Sequence, residues 1–323
     1  MPAKKVFAAH RGFVDQYKVT SGQRFRLDRF DPEDTGGLGN GAKPRAQQLL
    51  AQGVEWLAQE QDKLYAQDRW SLLLIFQAMD AAGKDGTIKH VTSGINPQGC
   101  QVFSFKQPSV EELDHDFLWR TNRCLPERGR IGIFNRSYYE EVLVVRVHSA
   151  LLGAQHLPPE RVGKRLWNER LEDIAALERH LARSGTVVLK FFLNVSRKEQ
   201  KRRFLERLDT PEKHWKFAAA DIAERAHWDA YMAAYQAAIK ATAAPHAPWF
   251  IVPADNKWFT RLYVAAAVVD AMRRLDLAYP KIGTAKRQEL AAARVALVDE
   301  EDDGDSRRRV AAPVSGSRRV PRE

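Results

Sequence analysis

A loop of small residues follows a strongly apolar stretch of the chain, and its residue types are those that bind phosphate. The run SLLLIFQAM (71–79) is typical of a buried strand, and a helical pattern begins soon after it. Backbone N–H groups of a tight loop and the positive end of a helix bind phosphate oxygens, and a lysine adds a point charge. The predicted phosphate-binding residues are Ala81, Ala82, Gly83, Lys84, Asp85, Gly86 and Thr87.

Two positions depart from the G-x-x-x-x-G-K-S/T pattern of phosphate-binding loops. Ala78 occupies the first glycine position, and Asp85 replaces the hydroxyl residue that would hold magnesium. An ordinary strand-to-helix turn is the alternative interpretation, and an acid such as Asp85 also stabilises the first turn of a helix. Asp80 favours the phosphate site, because a carboxylate in this loop repels phosphate unless a cation intervenes. We therefore predict that Mg²⁺ bridges Asp80 and the substrate.

A second polar cluster follows the apolar run RIGIF (130–134) and contains Arg136, Glu140 and Glu141. In a parallel sheet, ligands lie at the carboxyl ends of the strands, so we expect this cluster to face the same crevice as Lys84. Phosphoryl transfer needs a cation to take up charge on the transferred group and an acid to place a metal ion. We predict Arg136 in the first role and Glu140 or Glu141 in the second. The alternative for the two glutamates is an exposed acidic helix start.

The most basic part of the chain lies between Arg197 and Lys216, where eight basic residues face four acidic ones. This stretch follows a predicted strand, and Pro211 interrupts its helical pattern. Proline, charge and aromatic residues together suit a mobile lid, at about 203–220, that closes over a phosphorylated ligand and excludes water. A solvated helix face is the alternative interpretation.

These clusters require a scaffold that brings strand ends together. Apolar runs of strand length alternate with helical patterns, which implies right-handed crossovers and a mostly parallel sheet covered on both faces. The predicted strands are 71–79, 101–105, 130–134, 186–194 and 248–253. The predicted helices are 43–67, 84–95, 109–122, 160–182, 196–208, 218–241 and 257–276.

The charge of the chain predicts a polyanionic ligand. Lys and Arg number 51 against 41 Asp and Glu, a net charge of +10. The segment 286–323 has nine basic and eight acidic residues, so its net charge is +1 and the excess lies in the body of the chain. That segment is rich in charge, Pro, Ser and Gly, and we predict that residues 283–323 form a disordered tail.

Other features of the composition limit the class of protein. No apolar run of 18 residues occurs, and the start MPAKKVFAAHRGF lacks the apolar core of a signal peptide. Cys100 and Cys124 lack metal-ligand spacing and suit a reducing compartment. We therefore predict a cytoplasmic protein without membrane partners.

Several long motifs, in order between about residues 15 and 282, resemble the polyphosphate kinase 2 family. They are AMDAAGKDGTIKHV (78–91), INPQGCQVFSF (95–105), LWRTNRCLPERGRIGIFNRSYYEEVLVVRV (118–147), LKFFLNVSRKEQ (189–200), ERLDTPEKHWKF (206–217) and APWFIVPADNKW (247–258). The resemblance implies a P-loop kinase fold similar to that of thymidylate kinases, with three α/β/α layers, a five-stranded parallel sheet and a helical lid. It implies an N-terminal arm and helix over 1–67 and a kinase domain over 68–282.

The resemblance also implies a chemistry and its partners. Members of the family transfer a terminal phosphoryl group, reversibly, between inorganic polyphosphate and nucleotides such as AMP, ADP, ATP or guanine nucleotides, with Mg²⁺ or Mn²⁺. Asp80 and Lys84 would be the Walker A functional pair, and Arg136 the Walker B arginine. The lid residues expected to contact phosphate are Arg203, Arg207, Lys213 and Lys216. A homodimer or homotetramer is also implied.

One residue differs from part of that family. The subgroup that mainly phosphorylates diphosphates has Asp-Arg-Ser where this chain has Asn135, Arg136 and Ser137. The asparagine version resembles the subgroup that accepts both AMP and ADP, and it leaves metal binding to Asp80 and to Glu140 or Glu141.

Two other functions are compatible with a phosphate loop in a basic protein. One is a nucleoside monophosphate kinase that uses ATP as the donor, and the other is a P-loop protein that binds nucleic acid. The second is disfavoured because the body of the chain lacks the interleaved surface aromatics of a single-strand groove, and because we expect the most basic stretch to lie beside the phosphate loop.

Overall fold

The computed structural model describes residues 11–217 and 219–310, except for the side chains of Arg11, Asn40, Lys216, Ala219 and 301–310. The described residues fall into two units that divide between Ala278 and Tyr279. The first unit contains the sheet and all of the predicted site residues, so the architecture that matters for the site is that of the first unit.

The sheet has six strands in the order β1-β6-β5-β2-β4-β3. Strands β2 to β6 are mutually parallel where they pair, and β1 pairs antiparallel with β6 at one edge. The predicted α/β fold is confirmed, but the prediction of five strands missed β1, because two residues are too few to show an alternating pattern. The strands are β1 (Lys18–Val19), β2 (Ser71–Gln77), β3 (Cys100–Ser104), β4 (Ile131–Asn135), β5 (Thr186–Asn194) and β6 (Trp249–Pro253).

The described ranges contain twelve α-helices, of which the last lies in the second unit. They are α1 (Arg11–Asp15), α2 (Lys43–Gln67), α3 (Lys84–Val91), α4 (Val110–Leu113), α5 (Trp119–Asn122), α6 (Val144–Val147), α7 (Leu166–Arg183), α8 (Arg197–Leu208), α9 (Ala219–Glu224), α10 (Trp228–Thr242), α11 (Lys257–Arg273) and α12 (Thr284–Val310).

Two predicted helices are interrupted in the structure. The helix predicted over 109–122 is divided into α4 and α5, and Asp116 between them accepts from the backbone N–H of Leu118, a local bond that competes with a continuous helix. The helix predicted over 218–241 is divided into α9 and α10 by a 3₁₀ turn at Arg225–His227.

Alternate residues of the central strands face different helices. Phe191 of β5 stacks on Phe76 of β2 at 5.0 Å and on Phe250 of β6 at 5.1 Å between ring centroids, and this aromatic row reaches Tyr263 of α11. The neighbouring residue Lys190 instead contacts α7 and α10. Helices therefore cover both faces of the sheet, with α2, α3 and α11 packed together on one of them.

A buried polar network lies under the face covered by α7 and α10. Lys190 Nζ donates to Glu178 Oε2 at 2.5 Å and to the carbonyl oxygen of Thr242 at 2.8 Å, and the lysine and glutamate are at most 1% exposed. The hydroxyls of Tyr138 and Tyr139 both donate to Glu178 Oε1. Burial lowers the pKa of Lys190, and the charge of Glu178 opposes that shift. The network therefore connects Tyr138 and Tyr139, in the turn after β4, to the buried core.

The second unit contains α12, where the sequence predicted a disordered tail. The alanines between 285 and 296 have the highest helix propensity of any residue, and this local preference supports a helix whose side chains are exposed up to residue 300. The remainder of the predicted tail, 311–323, lies outside the described residues, as does the start of the predicted N-terminal arm. Within the described ranges, every helix is too short or too polar to cross a bilayer.

We predict that Lys190→Met lowers the free energy of unfolding by about 3–5 kcal/mol, because it leaves the Glu178 carboxylate buried without its cation. Adding Glu178→Gln should recover part of this loss, since a neutral amide still accepts from the tyrosines. Urea unfolding measures both. Lys63→Met is the control, because its pair with Glu60 is partly exposed and its loss should cost at most about 1 kcal/mol. Equal losses for the Lys63 and Lys190 variants would contradict the prediction.

Candidate active site

The predicted phosphate loop runs from the end of β2 to the start of α3. Gly83 precedes the helix with φ 104°, a conformation that glycine adopts without steric cost, and its carbonyl accepts from the N–H of Thr87 at 2.9 Å. Ala81 has φ 60°, which is sterically unfavourable for a residue with a side chain. The loop is therefore a tight turn held in a strained conformation, as is common at functional sites.

Lys84 lies back across this loop. Its Nζ donates to the carbonyl oxygen of Ala78 at 2.8 Å, the residue in the first glycine position of the loop pattern. Burial lowers the pKa of Lys84, and the nearby charge of Asp80 opposes that shift. The ammonium group thus lies inside the curve of the loop, where a bound phosphate would restore the preference for its charged form.

Arg136 follows β4 directly and reaches the same place. It has φ 65°, and its backbone N–H donates to the carbonyl oxygen of Phe76 on β2 at 3.0 Å. Its guanidinium lies 3.2 Å from Asp80 Oδ1 and 3.7 Å from Glu140 Oε2. Burial alone would lower the pKa of Arg136, but the two carboxylates outweigh it and raise the pKa. The predicted residues Asp80, Lys84 and Arg136 are thus brought together.

The two predicted metal-binding glutamates lie in different surroundings. Burial raises the pKa of Glu140, while the charges of Arg136 and Lys84 oppose the shift. Glu141 points elsewhere: its Oε2 lies 3.2 Å from Arg170 Nη1 and 2.6 Å from Gln155 Nε2. Of the two glutamates, Glu140 belongs to the cluster around Asp80, and Glu141 is engaged in a buried ion pair with α7.

Asn135 and Asp85 meet at the outer side of the loop. The Asn135 amide donates to Asp85 Oδ1 at 2.8 Å and to Ser104 Oγ at 3.4 Å, so it links the ends of β3 and β4 to the first turn of α3. Asp85 is therefore engaged by a hydrogen bond from the neighbouring strand end as well as lying in the acidic first turn of its helix.

The predicted lid residues make two kinds of contact: ion pairs with acidic side chains, and hydrogen bonds to the loop backbone. Arg207 lies 3.8 Å from Asp221, and Lys213 lies 2.9 Å from Glu206. The Lys216 side chain lies outside the described residues. Arg203 faces the protein interior, with 4% of its surface exposed, and donates to the backbone of the phosphate loop. Its contact with phosphate stays a prediction, and in this structure its partners at the loop are the carbonyl oxygens of Ala81 and Ala82.

Two further residues, which the sequence did not indicate as part of the site, form hydrogen bonds with it. Both polar atoms of the Gln77 amide form hydrogen bonds in one orientation of the group. Its nitrogen then donates to Glu140 Oε1 at 2.8 Å, and its oxygen accepts from the N–H of Ser137 at 3.0 Å. Gln200 donates from Nε2 to the carbonyl oxygen of Asp80 at 2.9 Å. Gln77 could have been found from the sequence, because it is a polar residue at the end of the apolar run of β2. Gln200 could not, because nothing in the sequence distinguishes it from the other polar residues of its helix.

Taken together, two cations and two carboxylates surround the mouth of a phosphate loop. Lys84 and Arg136 can neutralise negative charge on a transferred group, and Asp80 and Glu140 keep both cations in place by charge attraction. Such an arrangement suits phosphoryl transfer, in which positioning and electrostatic stabilisation supply most of the catalysis.

Comparisons with known proteins agree with this chemistry. The family model described as polyphosphate kinase 2 (PPK2) matches residues 41–279. The chain is 54% identical over 258 residues to the ADP-polyphosphate phosphotransferase of Rhodopseudomonas palustris, covering 80% of this chain and 89% of that protein. It is 43% identical over 275 residues to the AMP/ADP-polyphosphate phosphotransferase of Meiothermus ruber, covering 85% and 98%. The crystal structure of polyphosphate kinase 2 from Arthrobacter aurescens superposes with a TM-score of 0.77 at 40% identity, covering 85% of this chain and 95% of that one.

We predict that two substitutions of Ala81 differ in their effect on the free energy of unfolding, because Ala81 has a positive φ. Ala81→Val should lower the free energy of unfolding by about 2 kcal/mol, because a β-branched residue is strongly disfavoured at positive φ. Ala81→Gly should change it by less than about 1 kcal/mol, since relief of strain offsets the greater freedom of the unfolded chain. Thermal or urea unfolding measures both variants, and a valine variant as stable as the glycine variant would contradict the prediction.

Proposed function

The chain belongs to the polyphosphate kinase 2 family and is a polyphosphate-dependent nucleotide kinase, and from this premise we propose that it phosphorylates both AMP and ADP. One observation supports these residues as the reaction site: Arg136 contacts Asp80 and Glu140 beside Lys84. We propose that the phosphoryl group passes from donor to acceptor at this point.

The proposed roles follow from position. Loop N–H groups and the start of α3 would bind phosphate oxygens, and Lys84 would leave the Ala78 carbonyl to contact them. Arg136 would contact the transferred group, and Arg207 and Lys213 would reach the polyphosphate chain when the lid closes. An acceptor phosphate oxygen is already ionised at neutral pH, so in-line attack needs little help from a base. Catalysis would then depend on positioning and charge.

Mg²⁺, or Mn²⁺ in its place, is part of the proposal, and the carboxylates present fit it. Asp80 and Glu140 approach Arg136 at the loop mouth. Among the side chains that the structure describes, no group of three or more His, Cys, Asp or Glu residues could hold a metal ion by itself. Such a donor set suits Mg²⁺, which proteins commonly hold through one or two carboxylates and the substrate phosphates. Asp80 and Glu140 would hold the ion, and the ion would neutralise phosphate charge.

AMP and ADP are proposed as acceptors on the basis of Asn135 and of the names of two relatives. Asn135 donates its amide to Asp85, so this chain places a neutral donor where the family's diphosphate subgroup has an acid. The relative from Meiothermus ruber is named for both AMP and ADP, and the relative from Rhodopseudomonas palustris for ADP. These observations support acceptance of AMP and ADP.

The remaining parts of the proposal come from the family resemblance and from charge. We propose a cytoplasmic homodimer or homotetramer whose basic residues serve polyphosphate, with neither nucleic acid nor a membrane as a partner. A net charge of +10 would attract any polyanion, so salt dependence of donor binding is expected.

We predict that the purified chain converts AMP to ADP, and ADP to ATP, when polyphosphate and Mg²⁺ are supplied without ATP. Each acceptor is tested separately, and products are separated by ion-exchange chromatography. An enzyme that makes ADP from AMP only when ATP is added would be an ATP-donor kinase, which would contradict the proposal.

In the same assay Asp80→Ala, Lys84→Ala and Arg136→Ala should each abolish turnover while the fold is kept, because each removes a charge from the loop mouth. Lys89→Ala is the matched control, since Lys89 lies exposed on the same helix as Lys84. Circular dichroism checks the fold. Near-normal turnover in the Lys84 variant would show that the site is wrongly assigned.

We predict that substitution of Glu140 changes the Mg²⁺ dependence of the activity and that substitution of Glu141 does not. Glu140→Gln should raise the Mg²⁺ concentration for half-maximal activity by about 10-fold or more, because one carboxylate of the loop mouth loses its charge. Glu141→Gln should leave that concentration unchanged and lower the free energy of unfolding by about 1–3 kcal/mol, since Arg170 loses its charged partner. The opposite pattern would place the metal at Glu141.

A further inference from the structure

Three consecutive carbonyl groups of the phosphate loop are held by two side chains of α8. Gln200 Nε2 donates to the carbonyl oxygen of Asp80 at 2.9 Å. Arg203 Nη1 donates to the carbonyl oxygens of Ala81 and Ala82 at 3.1 and 2.7 Å. The next glycine, Gly83, is close enough that a Cβ on it would lie 3.7 Å from the same guanidinium nitrogen. One helix therefore lies behind the whole turn of the loop.

Every donor of Arg203 is engaged inside the protein. A guanidinium has five N–H groups. Besides the two loop carbonyls, Nη2 donates to the carbonyl oxygens of Ala254 at 2.6 Å and Asp255 at 3.1 Å, and Nε donates to Glu199 Oε1 at 2.7 Å. With 4% of its surface exposed and all five donors used, Arg203 has none left for a phosphate in this conformation.

These bonds determine which way the loop faces. No cis peptide occurs in the described chain, and in a trans peptide the carbonyl and the following N–H point in opposite directions. Holding the carbonyls of Asp80 and Ala82 toward α8 turns the N–H groups of Ala81 and Gly83 away from it. A phosphate loop binds through such N–H groups, and an inward carbonyl would repel the ligand.

Gln200 also connects the loop to the far end of the lid. Its Oε1 accepts from Arg225 Nη1 at 2.5 Å, and Arg225 also donates to the carbonyl oxygen of Arg197 at 3.3 Å. Gln200 is 1% exposed, so its amide has one partner in the phosphate loop and one beyond the lid segment. One side chain therefore connects the phosphate loop with the chain at Arg225.

We propose that Gln200 and Arg203 are positioning residues that orient the N–H groups of the phosphate loop and couple them to the lid through Arg225. This rests on the proposed function, since the loop must bind phosphate for its orientation to matter. It assigns to Arg203 a role different from the phosphate contact that the family resemblance implies. Arg203 acts through the loop backbone and does not touch the substrate.

Salt dependence distinguishes the two roles of Arg203. A cationic side chain that contacts phosphate is screened from it as salt rises, so removal of that side chain lowers the slope of log Kd against log salt. A side chain that only holds the loop leaves the slope unchanged and weakens binding equally at all salt concentrations. Tripolyphosphate is the probe, and its Kd is measured by isothermal titration between low and physiological salt.

Three variants and a matched control test the proposal. Arg203→Gln and Arg203→Lys should each weaken tripolyphosphate binding and lower kcat by about 10- to 100-fold with the wild-type salt slope, because lysine lacks the fork that reaches four carbonyls. Gln200→Glu keeps an acceptor for Arg225 but loses the donor to the Asp80 carbonyl, and should lower kcat in the same way. Arg165→Gln is the control: it removes an arginine that is 86% exposed and paired with Glu169, and kcat should stay near the wild-type value.

Two results would overturn the proposal. One is a reduced salt slope in Arg203→Gln together with wild-type binding in Arg203→Lys, which marks a direct phosphate contact. The other is wild-type kcat in both Arg203→Lys and Gln200→Glu. Thermal unfolding identifies a variant that fails to fold, in which case Gln200→Glu carries the test. Wild-type protein that binds tripolyphosphate but phosphorylates no nucleotide would contradict the proposed function and leave the binding comparison intact.

Discussion

The register between β2 and β4 determines where the charged groups of the site lie. Phe76 pairs with Asn135, so both strands end at the same level, and the backbone of Arg136 donates to the Phe76 carbonyl one step further along. Asp80 and Arg136 belong to loops that leave these two strand ends, and only this register brings their side chains to 3.2 Å. A slip of one residue would turn every side chain of the strand to the opposite face.

The same register is supported from both faces of the sheet. On one face the stacked rings of Phe76, Phe191 and Phe250 align three neighbouring strands. On the other face, Lys190 and Glu178 hold the tyrosines that follow Arg136. A buried ion pair is weak evidence for stability, but it demands one geometry, since its members tolerate few other positions. The strained turn at Arg136 is thus fixed by contacts on β2 and α7.

The sequence predicted that residues following the strand ends lie close together, and the structure shows this for Asp80, Lys84 and Arg136. Lys84 follows β2 after a short loop and Arg136 follows β4 directly, and the topology of a parallel sheet is enough to bring them together. Arg203 and Arg207 show where such reasoning stops. They are four residues apart and share a helix face, yet the first lies under the phosphate loop and the second beside Asp221. The difference depends on the backbone around Ala254, which only the tertiary structure brings to α8.

The structure also refines what the excess positive charge can do. In the basic stretch 197–216, Arg202 pairs with Glu199 and Glu206, and Lys213 pairs with Glu206, all with partly exposed side chains. Exposed pairs of this kind contribute about 0–1 kcal/mol each, so a polyanion can replace the acidic partners at little cost. Arg203 differs, because it is 4% exposed and four of its five acceptors are backbone carbonyls, of Ala81, Ala82, Ala254 and Asp255. One helix thus carries two kinds of arginine: exposed ones held only by surface ion pairs, and a buried one that, in our proposal, orients the loop.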